Sequence, residues 1–152
     1  MSKYKLIQLT NNNIGAVAAN GYLPLGLITR KLNSACNNCA TFQVTSSTSD
    51  ALVITEPGYY KITYVGNLSA AAAGNISVTL VTNQQAVVSA TETVAAADDV
   101  ANIVLSYVIR ICPNCCSAPY NCPVSVQFQL GSEVATSATE DSTSNIIVEK
   151  LY

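Results

Sequence analysis

Glu56-Pro57-Gly58-Tyr59-Tyr60-Lys61-Ile62-Thr63-Tyr64 decides the fold. Pro57 and Gly58 punctuate the chain, and behind them Tyr60, Ile62 and Tyr64 alternate with Lys61 and Thr63. A period of two is the pattern of a half-buried β-strand, because successive side chains point to opposite faces of a sheet. Gly58 lets the chain turn into the strand, and the alternation runs on through Asn67 to Leu68.

The same pattern extends outward in both directions. Upstream, Thr41–Thr45 and Ala51–Ile54 are short strand candidates. Downstream come Ile76–Val81, the weaker Val87–Thr91, Ile103–Ile111, Val124–Leu130 and Ile146–Leu151. Ile103, Leu105, Tyr107, Ile109 and Ile111 make the longest apolar face in the chain. Ala70–Ala73 and Ala95–Ala97 favour helix by propensity but are too short to stand alone, so they read as loops between strands. Eight strands separated by Gly, Asn, Ser and Asp turns predict an all-β fold, an antiparallel two-sheet jelly-roll sandwich over residues 36–152. Residues 1–35 read differently. Tyr4, Leu6 and Leu9 hint at one strand, whereas Asn11–Gly26 is rich in Asn, Gly and Ala and contains Pro24. This part is expected to be an extended N-terminal arm or attachment segment, with an extra edge strand of the same domain as the alternative.

Composition narrows the function. Of 152 residues 49% are hydrophobic and only 11% charged, against about a quarter charged in an average soluble protein. Ser, Thr, Asn and Ala take the place of charge, and a surface of that kind has few ions to desolvate when subunits meet. Net charge is −2 and the seven cations are scattered, which argues against nucleic acid as a partner. There is no His, so the commonest general base and metal ligand is missing. No phosphate loop, nucleophile elbow or metalloprotease motif occurs either. The expectation is a protein that is not an enzyme. No apolar run is long enough to span a bilayer, and Met1-Ser2-Lys3-Tyr4-Lys5 does not open a secretory signal.

The segment Pro57-Gly58-Tyr59-Tyr60-Lys61-Ile62-Thr63-Tyr64 resembles the "P-G-x-Y-x-(aromatic or aliphatic)-x-Y" strand of the tumour-necrosis-factor-like and complement globular-head superfamily. The resemblance covers residues 40 to 152. It includes an Ala/Gly-rich tip after the motif and the closing strand Ser144-Asn145-Ile146-Ile147-Val148-Glu149-Lys150-Leu151. It implies a jelly roll working as a homotrimer, with Tyr60, Tyr64 and Tyr107 at the trimer axis or in the core. Spore-surface members follow a collagen-like Gly-X-Y stalk, which this chain lacks. It is therefore similar to phage head fibre or capsid decoration proteins, docked by the arm on a capsid or other large assembly. The expected place is the virion surface, with a spore surface (exosporium) as the alternative. A lectin-like receptor-binding module, with a surface glycan as partner, is the rival from another class.

Six cysteines fall in two clusters, Cys36 and Cys39, then Cys112, Cys115, Cys116 and Cys122. The jelly roll implied by the resemblance sets the 41–45, 146–151, 60–68 and 103–111 strands side by side, which puts both clusters at one end of the sandwich. Two readings stay open. Cys36, Cys39, Cys112 and Cys115 form a structural zinc site from two C-x2-C turns, or all six cysteines form disulfides. Asp98-Asp99 and Glu140-Asp141 read as solvated turns, since no spaced ligand pattern surrounds them. Tyr4, Tyr22, Tyr120 and Tyr152 lie in loops or termini and show no convergent cluster.

Overall fold

The computed structural model describes residues 5–32, 41–44, 49–112 and 123–151. Among them ten strands form: β1 (Leu6–Asn11), β2 (Leu27–Leu32), β3 (Phe42–Val44), β4 (Leu52–Ile54), β5 (Gly58–Ser69), β6 (Gly74–Thr82), β7 (Gln85–Val94), β8 (Val100–Ile111), β9 (Val124–Leu130) and β10 (Thr143–Lys150). They build two five-stranded sheets, β2-β1-β10-β5-β8 and β3-β4-β9-β6-β7. Every pairing is antiparallel. This is an all-β jelly-roll sandwich, as the alternation around Gly58 predicts.

The opening motif sits at its centre. β5 pairs with β8 without a break from Gly58↔Ile111 to Ser69↔Val100 and with β10 from Tyr60↔Lys150 to Asn67↔Thr143. Gly58 holds φ of +150°, a conformation that side chains other than glycine rarely adopt. Tyr60, Ile62, Tyr64 and Leu68 all point between the sheets and are buried. Two aromatic contacts tie the layers together: Phe42 meets Tyr60 edge-on at 6.0 Å, and Tyr64 lies against Phe128 at 4.8 Å between ring centroids. Both distances fall in the favourable range for aromatic pairs. The Tyr64 ring extends over Gly66, where a Cβ would lie 2.4 Å from the phenol oxygen.

The structure corrects two expectations. Residues 5–32 are not an arm. β1 lies inside the first sheet between β2 and β10, and the segment from Asn12 to Gly26 crosses to the second sheet while bonded to it. Leu23 N–H donates to Phe128 O (2.8 Å), Leu130 N–H to Gly21 O (2.9 Å), and Leu25 N–H to Ser49 O (2.8 Å). β4 accompanies β9 only from Val124 to Val126, and the crossing segment takes over beside Phe128 and Gln129. Ile14, Leu23 and Leu25 enter the core there, each burial contributing about 1.5–3 kcal/mol. Loop-like composition hid three isolated core residues with no regular spacing. The second correction concerns the 41–45 strand, expected beside the closing strand. β1 takes that place, and β3 lies in the opposite sheet.

Candidate functional site

The inward faces of both sheets pack into one core, and the outward faces differ from each other. On β8, Ala101, Ile103, Leu105, Ile109 and Ile111 are buried. The alternate residues Val100, Asn102, Val104, Ser106, Val108 and Arg110 point away from the core and are exposed. Val104 is 58% exposed and stands directly opposite Val65 of β5, itself 38% exposed. Val108 stands opposite Lys61 and Tyr59 opposite Arg110. The Arg110 guanidinium lies 5.8 Å from the Tyr59 ring centroid, within cation–π range. Thr63 faces Ser106 on one side and Ile147 on the other, and Gln8 donates to Asn145 Oδ1 at 2.9 Å.

The distribution of exposed apolar side chains is one-sided. The large ones are Leu27, Ile28 and Leu32 on β2, Tyr59 and Val65 on β5, Val100, Val104 and Val108 on β8, and Leu151 just past β10. Among the described residues the second sheet contributes none. Its outward positions are Asn75, Ser77 and Thr79 on β6, Ser89, Thr91 and Thr93 on β7, and Ser125, Gln127 and Gln129 on β9. Cross-strand hydrogen bonds join Thr93 to Asn75 at 2.6 Å and Thr79 to Ser89 at 2.7 Å. The outward side chains of the second sheet are mostly hydroxyl and amide, with Val53 half-buried beside Ser125, whereas the first sheet carries a valine stripe.

A second cluster closes one end of the sandwich. Glu56, on the turn between β4 and β5, pairs with Lys5 through one carboxylate oxygen and Lys150 through the other. Lys5 also donates to Thr41 Oγ1 at 2.7 Å, and Thr41 donates to Glu56 at 3.0 Å. Burial pushes the Glu56 carboxyl up, but hydrogen bonds from Lys150, Lys5 and Thr41 outweigh it and hold the pKa at about 2. The cluster thus ties the start of β1, the end of β10 and the approach to β3. Sequence reasoning missed it, because the three charges are far apart in the chain.

The residues singled out from the sequence are spread over the molecule. Tyr60 and Tyr64 lie in the interior of the single sandwich, and Tyr107 packs half-buried against it. Burial raises the Tyr64 phenol well above its ordinary pKa. Cys112 is disulfide-bonded, and a disulfide sulfur has no thiolate to offer a metal. Cys36, Cys39, Cys115, Cys116 and Cys122 lie outside the described residues. The described ends that flank the two clusters do meet at one pole. Thr41 bonds Glu56, two residues before Gly58, and Gly58 pairs with Ile111 next to Cys112. Asp98 and Asp99 close a turn: Asp98 N–H donates to Ala70 O at 2.7 Å, and Asp99 Oδ2 accepts from Ala96 N–H at 3.1 Å. Glu140 and Asp141 are exposed. Among the described residues no three Cys, Asp or Glu side chains gather as a metal site would require. No described helix is long and apolar enough to cross a membrane.

The strand order and the crossing segment define a jelly roll, the fold shared by the tumour necrosis factor and complement-head structures it is similar to. Solved structures agree. The chain is similar to the PRD1 vertex protein P5, with 15% identity over 97% of both chains and a TM-score of 0.60. It is similar to the Eiger TNF from S. frugiperda, with 10% identity, 99% of this chain and 94% of that one covered, and a TM-score of 0.67. It is also similar to the globular domain of the zebrafish complement 1qA protein, with 9% identity over 97% and 98% and a TM-score of 0.62. At such identities the likeness is one of fold. No protein-family model and no curated protein matches the chain.

Proposed function

We propose that this protein is a non-enzymatic, homotrimeric surface head of a virion, a head fibre or capsid decoration, made for assembly and contact. The observation that carries the reading is the segregation of exposed apolar side chains onto the first sheet. An apolar stripe of this kind marks an association surface, and closed cyclic symmetry lets one such patch be covered in every copy. The valine stripe on β5 and β8 takes part in the threefold contact. The low charge of the chain keeps the desolvation cost of that contact small. The likeness to a vertex protein supports a place on a particle.

Native mass spectrometry at micromolar concentration tests the trimer. A single chain as the main species refutes it, and copurification with capsid proteins tests the virion. The hydroxyl and amide face of the second sheet favours a second reading, in which the head is a lectin-like receptor-binding module; binding on a glycan array would support it. The cysteine pole is proposed as a covalent staple, consistent with the disulfide at Cys112. Intact mass with and without reductant counts the bridges, and elemental analysis detects zinc if thiolates hold it instead.

A further inference from the structure

β2 is an open edge of unusual character. It is the outermost strand of the first sheet, and all six of its residues are exposed. Leu27 is 78% exposed, the highest value among the large exposed apolar residues, and Ile28 and Leu32 stand at 47% and 46%. Among the described residues its backbone bonds only to β1. An apolar open edge is a template for another strand. It is about 20 Å long at strand spacing, with a register irregularity at Thr29, which has no partner position on β1.

The charges on β2 indicate which strand. Arg30 and Lys31 lie side by side in it. Lys31 donates to Phe42 O at 3.1 Å, whereas no described carboxylate pairs with Arg30. If two copies of β2 met antiparallel about the strand midpoint, Arg30 would face Thr29 and Lys31 would face Ile28. Neighbouring side chains point to opposite faces of a sheet, so two of the four cations would fall on each face. Cations on an edge are a device against self-pairing, and they attract an acidic strand in its place.

We propose that β2 is a strand-addition site that accepts an extended segment of another protein, with apolar residues alternating with Glu or Asp. The segment extends the first sheet by one strand, and main-chain hydrogen bonds carry the contact. Its acidic side chains pair with Arg30 on one face and its apolar ones cover Ile28 on the other. The inference rests on the reading that the head is carried on a larger assembly, and it gives the residues of the attachment. β2 is three strands from β5, so it does not use the valine stripe.

The test uses the whole protein and two capped peptides, Thr-Val-Glu-Val-Glu-Val-Thr and its lysine counterpart. Fluorescence anisotropy reads binding, and amide hydrogen exchange at residues 27–32 reads the place. The acidic peptide is expected to bind and to slow exchange across β2. The lysine peptide binds about tenfold more weakly, a difference of about 1.4 kcal/mol. The exposed substitution Arg30→Glu reverses the preference. Absence of protection at 27–32, equal binding of both peptides, or a preference unchanged in R30E overturns the proposal. So does protection of β2 that rises with protein concentration alone, which would assign the edge to a second copy. An intact trimer alongside any of these results leaves the functional reading standing, and a monomer that still binds the acidic peptide separates the two the other way.

Discussion

The two sheets share one core and one strand count, yet their outer faces differ in kind. The first sheet sets Val65 against Val104 and repeats valine at 100, 104 and 108 along β8. The second sets Thr79 against Ser89 and Gln129, and Thr93 against Asn75. A hydroxyl or amide left in water costs nothing and keeps copies apart. A valine left in water is a standing incentive to associate, at about 25 cal/mol for each Å2 later covered. Under the proposed function the asymmetry assigns directions to the sandwich, with the first sheet turned toward other chains and the second toward solvent.

The sharpest way to break that comparison is to place one charge on each face. Val104→Asp puts a carboxylate in the stripe, where assembly would bury it without a partner. The expected result is loss of the trimer, read as a shift from three chains to one by native mass spectrometry. An unpaired buried charge costs several kcal/mol. Thr91→Asp makes the same kind of change on the second sheet and is expected to leave the mass unaltered. A trimer that survives V104D, or one that T91D dissociates, would reverse the directions assigned to the faces.

Much of the fold is legible in the sequence. The alternation of Tyr60, Ile62 and Tyr64 locates the central strand, and Ile103 to Ile111 its longest partner. The valine stripe is written there as well, in the second phase of the same strand. Val100, Val104 and Val108 fall out of phase with Ile103, Leu105 and Ile109 and alternate with Asn102, Ser106 and Arg110 on the outward face of β8. What is not legible depends on long-range geometry. Ile14, Leu23 and Leu25 have no period because they cross between sheets. Lys5, Glu56 and Lys150 meet only once β1, β5 and β10 are paired.

That ionic cluster sharpens the comparison in another way, since it belongs to the first sheet's terminal strands and reaches toward β3 of the second. Glu56→Gln leaves Lys5, which is 5% exposed, without its countercharge. Removing one partner of a buried pair costs about 3–5 kcal/mol. Glu56 keeps a third of its side-chain surface in water, so roughly 2–3 kcal/mol is expected after screening. Denaturant unfolding measures it. The pH dependence follows from the sign of the shift. The Glu56 carboxyl is held at about 2 against an ordinary 4.5, so its stabilisation is complete above 4.5 and is lost as pH falls toward 2. Wild-type protein should lose stability over that window, and E56Q should lose less.

Two smaller changes probe the core beneath the stripe. At Gly66 a methyl group would meet the Tyr64 phenol at 2.4 Å, so Gly66→Ala is expected to destabilise by about 1–3 kcal/mol through overpacking. Tyr64→Phe should act in the opposite sense. The Tyr64 hydroxyl is buried and has no hydrogen-bond partner among the described residues. Leaving such a group unpaired costs about 1–3 kcal/mol, and phenylalanine keeps the contact with Phe128. The expected outcome at neutral pH is a change within about 1 kcal/mol, neutral or stabilising. Alkali separates the hydroxyl from the ring. Burial raises the Tyr64 phenol above its ordinary value of 10, so above pH 10 the unfolded chain ionises there first and stability falls as pH rises. Y64F removes that contribution. Denaturation midpoints for the two proteins should therefore diverge as pH rises above 10, with Y64F the more resistant, and parallel curves would show that burial does not raise the Tyr64 phenol.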